Sequence, residues 1–466
     1  MINSEKLRAI PLIAIAGLIG LFTNVARADR VTYTEHVAPV MFEHCVSCHR
    51  PDTAAPMSLR SYLETRPWAK AIREQVFNRA MPPWFADPQH GVFSNDPSLS
   101  DEEIQVIIDW VDQGALLGDP KDLPELPVFT NGWQLGEPDY LVSTPEVVIP
   151  AEGEDLKVPL RAVLETDGSR WVRAVEIRPE NRNGVHHSVV FLDGSHARDQ
   201  NSDYAVLGVW AVDTPPNIYP PGTGRRIGPS EKIVISQHYH PYGEEGTDIT
   251  HVGLYFGEGE MGKDLHGIRI GDFELTIPPY ANNHEVRGRW KTPADLTIRS
   301  FFPHMHYRGK DMVYTATYPD GNSEILLNVP NYRFNWQYFY YLETPKFIPK
   351  DTIIDVVGHF DNSAGNPDNP NPQLEISYGE NSDDEMMFGI FEYTSDMPID
   401  IGYHDKIETA LLQKRHEKRR AEIRMEIAQA QRSQEILIPL IVSVVAGFGF
   451  LLLFLYKRRQ TNSQRS

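Results

Sequence analysis

The residues of this chain whose types and spacing could do chemistry fall into two groups. Cys45-Val46-Ser47-Cys48-His49 forms a C-x-x-C-H motif near the start of the chain. Three histidine pairs follow much later, at His186-His187, His238-Tyr239-His240 and His304-Met305-His306. Thiols beside an imidazole can hold a covalent haem or a metal, and clustered imidazoles are common ligands of copper and zinc.

The C-x-x-C-H motif predicts one covalently attached c-type haem. The chain has only 2 cysteines, so a disulfide framework is excluded and the two thiols act together. Cys45 and Cys48 lie one helical turn apart and can both add to the haem vinyl groups, while His49 ligates the iron. A zinc site would need further thiols or suitably spaced histidines, and a thioredoxin-like dithiol would need a βαβ context that the sequence lacks.

The sequence around this motif resembles a small class I cytochrome c. Residues 33–42 predict an N-terminal helix, and Ser100 followed by Glu103 predicts a capping box at the start of a closing helix. Met81 precedes two prolines that stiffen its loop, so we predict Met81 rather than Met57 as the sixth iron ligand. Thioether ligation raises the reduction potential and suits electron transfer. We therefore expect an all-α cytochrome c domain over residues 29–125.

The region from 130 to 398 is predicted to be β-rich. Apolar and polar residues alternate in segments such as 171–177 and 232–237, and Asp-Gly or Asn-Gly turns separate them. Histidines at positions i and i+2 of a strand point to the same face, so each such pair can reach one metal ion. Scattered surface histidines are the alternative for any single pair.

The ordered set of histidine pairs, followed by Asp384-Glu385-Met386, resembles the signature of the copper type II, ascorbate-dependent monooxygenase family. This resemblance implies two all-β sandwich (jelly-roll-like) domains, 130–280 and 281–398, that face each other across a cleft and bind one copper each. It implies that the first copper is held by His186, His187 and His238. It implies that the second copper, where O2 and substrate react, is held by His304, His306 and Met386. His240 is left as a residue that supports the first site.

The ligand types are consistent with this resemblance. Three imidazoles suit copper or zinc, so a zinc hydrolase remains an alternative at the first site. A thioether beside two imidazoles favours Cu(I), because sulfur is a soft ligand. Peptide-hydroxylating members of the family anchor a carboxylate with polar residues whose positions here are Phe302, Phe388 and Ile390. None of these can pair with a carboxylate, so we predict a small, neutral, apolar or aromatic substrate.

Both ends of the sequence predict an exported, membrane-anchored protein. Basic residues, the apolar run 10–22 and Ala26-Arg27-Ala28 are typical of a signal peptide over residues 1–28. A charged spacer helix is predicted over 404–435, and an uncharged transmembrane helix over 436–456. The basic tail 457–466 would then be cytoplasmic, with most of the chain on the periplasmic side of the cytoplasmic (inner) membrane. The net charge of −20 argues against a nucleic-acid partner.

Together these features predict a haem-fed dicopper monooxygenase. It would hydroxylate a C–H bond of a small molecule with O2, using electrons that pass through the haem. The expected external donor is a cytochrome, a quinol-linked reductant or an ascorbate-like reductant. The main alternative is a non-catalytic copper-binding or electron-transfer protein with a cytochrome c domain.

Overall fold

The computed structural model describes residues 30–397, apart from the positions given in the next sentence. The undescribed positions within that range are 52, 54, 130, 131, 154, 193–205, 212, 213, 258–261 and 380. The predicted signal peptide, spacer helix, transmembrane helix and cytoplasmic tail lie outside the described residues. Within the described part of the chain, no helix is both long enough and apolar enough to span a bilayer.

The helices precede the sheets in the chain. They are α1 (Ala38–His44), α2 (Tyr62–Thr65), α3 (Ala69–Phe77) and α4 (Asp101–Asp112), with a π-helical turn at Tyr33–Val37 and 3-10 turns at Arg66–Trp68 and Pro120–Asp122. Helix α4 begins with the capping box between Ser100 and Glu103. Tyr33, Met41 and Trp110 are fully buried in the small core that these helices share.

The fold class predicted from the sequence is wrong, because the described residues contain no all-α cytochrome c domain. Strands take 41% of the described residues and helices 13%, and the longest described helix has 12 residues. Residues 80–99 contain four prolines and form no helix, since proline lacks the backbone donor and clashes with the preceding turn. This stretch instead forms part of the β structure, where Phe93 bridges to Leu342 in antiparallel fashion.

The first β-sandwich is built from two sheets. Its strands are β1 (Tyr140–Ser143), β2 (Val147–Ile149), β3 (Leu156–Leu164), β4 (Arg170–Pro179), β5 (Val185–Leu192), β6 (Val206–Ala211), β7 (Asn217–Ile218), β8 (Thr223–Ile227), β9 (Glu231–Tyr239), β10 (Gly246–Asp248), β11 (Thr250–Phe256) and β12 (Lys263–Asp264). One sheet has the order β1-β11-β4-β8-β12, with β7 beside β4, and the other has the order β3-β9-β5-β6. Val175, Val190 and Ile235 are among the fully buried residues between these sheets.

The second β-sandwich follows directly. Its strands are β13 (His266–Gly271), β14 (Thr276–Ile277), β15 (His284–Lys291), β16 (Leu296–Met305), β17 (Gly309–Thr317), β18 (Ser323–Val329), β19 (Tyr340–Ile348), β20 (Ile353–Phe360), β21 (Ile376–Ser377) and β22 (Met387–Thr394). The sheets run β13-β22-β16-β19 and β15-β20-β17-β18. Strand β13 therefore belongs to this sandwich, although it precedes residue 281. A buried ion pair between Arg225 and Glu392, 2.8 Å long, joins the two sandwiches.

The segment between α3 and α4, residues 80–99, docks on the second sandwich rather than on the first. The Trp84 ring lies 4.7 Å from the Tyr340 ring, and the Phe93 ring lies 5.5 Å from it. The backbone amide of Ser94 donates to the carbonyl of Tyr341 at 2.8 Å. Buried aromatic pairs of this kind add stability beyond the area that they bury. This docking places the C-x-x-C-H segment beside both sandwiches.

Candidate functional site

A single cavity of about 1130 Å³ brings together every site residue predicted from the sequence. The helical segment, the first sandwich and the second sandwich all contribute to its wall. The predicted residues on this wall are Cys45, Cys48, His49, Met81, His186, His187, His238, His304, His306 and Met386. Met57, the other candidate iron ligand, also lines the cavity.

The first histidine cluster lies on β5 and β9. Consecutive residues of a regular strand point to opposite faces, so His186 and His187 would normally diverge. The pairing of β5 with β9 shifts between Val185 and His187, which is a β-bulge that inserts His186 as an extra residue. His187 pairs directly with His238 across the two strands. As a result, one ring nitrogen of each of the three histidines lies within 4.8 Å of the others.

Asp155 orients the first cluster. Its carboxylate accepts from Nε2 of His238 at 2.6 Å and from Nδ1 of His240 at 2.7 Å. Nδ1 of His238 is then left buried without a hydrogen-bond partner. A buried polar atom without a partner is unusual, and a bound metal ion is one explanation. His240 is 62% exposed and contacts the same Asp155 carboxylate as His238.

The second histidine cluster lies at the end of β16. His304 and His306 share one face of the strand, and their rings are 5.2 Å apart. His304 Nδ1 lies 2.7 Å from the Gln337 side-chain oxygen, and His306 Nδ1 lies 3.2 Å from the Asp384 carbonyl. When Nδ1 donates in this way, Nε2 of each ring is left as the acceptor that a metal ion needs.

Met386 is positioned by the neighbouring strand. Met305 pairs with Met387 across β16 and β22, so the same register places Met386 opposite His306. Glu385 is fully buried, and it accepts from the backbone amides of His306 at 2.9 Å and Arg308 at 2.7 Å. The buried Arg308 guanidinium forms an ion pair with Glu385, 3.8 Å long. Glu385 and Arg308 thus join the segment that carries His306 to the segment that carries Met386.

The clustered histidines are held in their neutral form. Burial lowers the pKa of His186 and of His304 to about 4. Burial, followed by neighbouring histidines, also lowers the pKa of His187 and His306 well below the usual value. Metal ions bind the neutral imidazole, so these rings do not need to lose a proton before they coordinate a metal at neutral pH.

The metal-depleted protein is expected to lose stability as the pH falls from about 6.5 to 4. The unfolded chain protonates His304 near pH 6.5 but the folded chain only near 4, so acid favours the unfolded state. Between pH 7 and pH 5 this residue alone accounts for about 2 kcal/mol in the free energy of unfolding. Urea unfolding at pH 7 and pH 5 should show that H304N loses less unfolding free energy between the two pH values than wild type does. An equal loss of unfolding free energy in H304N and in wild type would contradict the assignment.

The C-x-x-C-H segment forms a tight turn at the end of α1. The His49 amide donates to the Cys45 carbonyl at 2.8 Å, and His49 Nδ1 lies 3.2 Å from the Met57 carbonyl. When Nδ1 donates to this carbonyl, Nε2 is the unprotonated nitrogen of the His49 ring, and Met57 packs against the helical core. Burial and the adjacent Cys48 raise the pKa of Cys45 to about 12, which is the opposite of what a redox dithiol needs.

The loop between β18 and β19, residues 330–339, was not singled out by the sequence pattern, yet it touches all three groups. Phe334 stacks on His186 with ring centroids 5.4 Å apart, and its centroid lies 5.8 Å from that of His306. Gln337 contacts His304, and the nearby Cys48 adds to burial in raising the pKa of Tyr338. The high aromatic content of residues 334–341 was the available signal. We name residues 330–339 the bridging loop.

An aromatic cluster adjoins Met386. Its buried members are Phe273, Phe302, Phe388 and Ile390. The cluster therefore includes the three residues from which an apolar substrate was predicted. The sequence pattern missed Arg269, which pairs with Ile390 across β13 and β22. Its guanidinium lies over the Phe388 ring at 4.7 Å and over the Phe273 ring at 5.3 Å, which are cation–π contacts.

Comparisons with known proteins assign no family. No protein-family model and no curated protein sequence matches the chain. A similar solved structure is the major capsid protein P2 of bacteriophage PM2, with 8% identity, a TM-score of 0.27, and coverage of 55% of this chain and 97% of that chain. Another is the VP2 subviral particle of infectious bursal disease virus, with 10% identity, a TM-score of 0.16, and coverage of 60% and 89%. Similarities at this level indicate no activity.

His359 lies apart from both clusters and pairs with Asp311 at 2.6 Å and with Glu285 at 3.6 Å. It is not among the residues that line the cavity. Both of its contacts lie on strands of the sheet β15-β20-β17-β18.

Proposed function

We propose that this chain is a copper-dependent monooxygenase that receives its electrons through a covalently attached c-type haem. The observation that carries this proposal is the convergence of three groups of cofactor-binding side chains on one cavity. The first group is the C-x-x-C-H segment, the second is the cluster on β5 and β9, and the third is the cluster on β16 with Met386. This arrangement is consistent with the resemblance to copper type II, ascorbate-dependent monooxygenases.

The residues present fit the proposed metals. One copper would be held by His186, His187 and His238, and the buried Nδ1 of His238, which has no hydrogen-bond partner, fits a metal ligand. The other copper would be held by His304, His306 and Met386. When bound, copper supplies one-electron redox chemistry with O2, and the haem supplies electrons. The thioether of Met386 favours copper over zinc at the second site.

The residues around Met386 suit a small apolar or aromatic substrate. Phe302, Phe388 and Ile390 of this cluster line the cavity next to the second histidine pair and would keep water away from the reacting C–H bond. The Arg269 guanidinium can donate to a neutral acceptor, such as a carbonyl or hydroxyl oxygen of the substrate, while its plane rests on Phe388. The cluster therefore binds the apolar body of the substrate, and Arg269 orients it.

Covalent attachment of the electron donor is the proposed role of the helical segment. Cys45 and Cys48 would bind the haem, His49 would ligate the iron, and Met81 is the predicted sixth ligand. A donor on the same chain acts at a high effective concentration. An external cytochrome, quinol-linked or ascorbate-like reductant would reload it.

The full-length protein, produced in a cell that matures c-type haem, is expected to contain two coppers per haem. Ferrous haem should be reoxidised by O2 only when copper is present, because the electrons leave through the copper sites. Stopped-flow absorbance of the haem band measures this rate. The C45A/C48A variant should keep its copper but lose covalent haem and haem-dependent oxygen uptake.

Three outcomes would contradict parts of the proposal. Zinc alone, or no metal, would remove the basis for oxygen chemistry. Copper-independent reoxidation of the haem would assign the haem another role. Two coppers with no oxygen uptake in the presence of candidate substrates would favour a non-catalytic electron-transfer protein.

A further inference from the structure

We propose that Phe334 couples the two histidine clusters, so that a metal ion bound at one site raises the affinity of the other. The inference rests on the metal sites of the proposed function and concerns a residue that ligates neither ion. It makes Phe334 a positioning residue that acts through His186 and His306.

The geometry of Phe334 carries the inference. One side of its ring stacks on His186 with an interplanar angle of 19°, while His306 meets it edge-on at 77°. The Tyr307 ring contacts Phe334 at a centroid distance of 4.7 Å and limits its freedom to move away. One phenyl ring thus touches one ligand from each sandwich.

Metal binding at the first cluster must change the surroundings of His186. His186 Nδ1 lies 3.1 Å from His187 Nδ1, which is the distance of a hydrogen bond between the two rings. A metal ion held at these nitrogens would replace that hydrogen bond and restrict both rings. Protein interiors are close-packed, so a restricted His186 also restricts the Phe334 ring that is stacked on it.

The second cluster receives this effect through the edge-on contact between Phe334 and His306. His306 is 5% exposed and packs against Phe334, so ordering of the phenyl ring reduces the entropy that His306 loses when it binds a metal. By linkage, the effect is reciprocal: filling the second site must favour the first site by the same factor. The bridging loop also holds His304 through Gln337, which keeps Phe334 in register with the second cluster.

The test is a cycle of Cu(I) affinities measured by competition with a chromophoric chelator. H187A disables the first site, and the remaining second-site affinity is compared with that of wild type. We expect a decrease of about 5- to 20-fold, within the usual range of coupling between sites. In the F334L background the same H187A change should alter second-site affinity less than about 2-fold, because the connection is then absent. Reciprocally, M386L should lower the Cu(I) affinity of the first site only when Phe334 is present.

W336L is the matched control, because Trp336 lies on the bridging loop but stacks on Tyr338 at 6.4 Å rather than on a histidine. It should leave the coupling intact. If F334L does not fold, as judged by circular dichroism and thermal melting, F334M serves instead. Equal coupling with and without Phe334, or two independent sites in wild type, would overturn this inference alone. Failure of both sites to bind copper would overturn the proposed function as well.

Discussion

Met386→Leu is expected to reduce Cu(I) affinity at the second site by more than about 100-fold, exceeding the usual effect of losing a residue that only supports a ligand. Leucine preserves most of the volume and the apolar character of Met386, so packing is little changed. The loss is chemical, because the soft sulfur ligand is removed while His304 and His306 remain. Cu(II) and Zn(II), which prefer the imidazoles, should lose much less affinity. Product formation should fall at least as far as Cu(I) affinity at limiting copper.

The matched control is Met387→Leu. Met387 is the next residue, but it is completely buried in the core of the second sandwich and points to the other face of β22. The same exchange there should leave two coppers per chain and an unchanged Cu(I) affinity. Chelator competition and metal analysis on both variants separate ligation from packing. If Met386→Leu binds Cu(I) as tightly as Met387→Leu does, the thioether is not a ligand.

Glu385→Ala is expected to destabilise the protein by about 3–5 kcal/mol, the typical cost of removing one partner of a buried ion pair. Arg308 has no exposed surface, and its charge would remain in the interior without a counter-charge. The backbone amides of His306 and Arg308 would also lose their acceptor. Denaturant unfolding of the metal-depleted protein measures the change, and Glu385→Gln should cost less because it keeps an acceptor oxygen.

The control for this prediction is an exposed ion pair of the same sandwich. Arg289 donates to Asp355 through two nitrogens, at 2.6 and 3.1 Å, but its side chain is 67% exposed. Asp355→Ala should therefore cost less than about 1 kcal/mol. Equal effects of the two substitutions would show that Glu385 contributes no more than a surface carboxylate. Because Glu385 precedes Met386, its loss should also weaken the second copper site.

The pattern of residue types selected side chains that line one cavity, but it did not predict the fold class. The spacing of His304 and His306 places both on one face of a strand, and the structure has them on β16. The adjacent pair His186-His187 could not be interpreted by strand alternation, because a β-bulge is a property of the pairing between two strands. Asp155 and Arg269 were missed for the same reason, since each reaches its partner across a sheet.

The helical segment shows where local signals fail. The capping box at Ser100 depends on residues three positions apart, and the structure has it as predicted. The all-α domain that we expected from these local signals is not observed in the described residues, because a few short helices do not make a helical domain. The prolines of residues 80–99 prevent helix formation, and their segment gains its stability from Tyr340, which lies far away in the chain.

By itself, the sequence determined which side chains are candidates to hold a metal or a haem, because ligand chemistry depends on residue type and on spacings of a few residues. It also determined the strand-rich character of residues 130–397, which follows from local alternation and turns. Only the tertiary structure decided that these groups share one cavity and that the bridging loop contacts both histidine clusters. The physical reason is that these contacts join separate elements of the chain, such as His186 on β5 and Phe334 in the bridging loop, and long-range packing, unlike periodicity, leaves no local pattern.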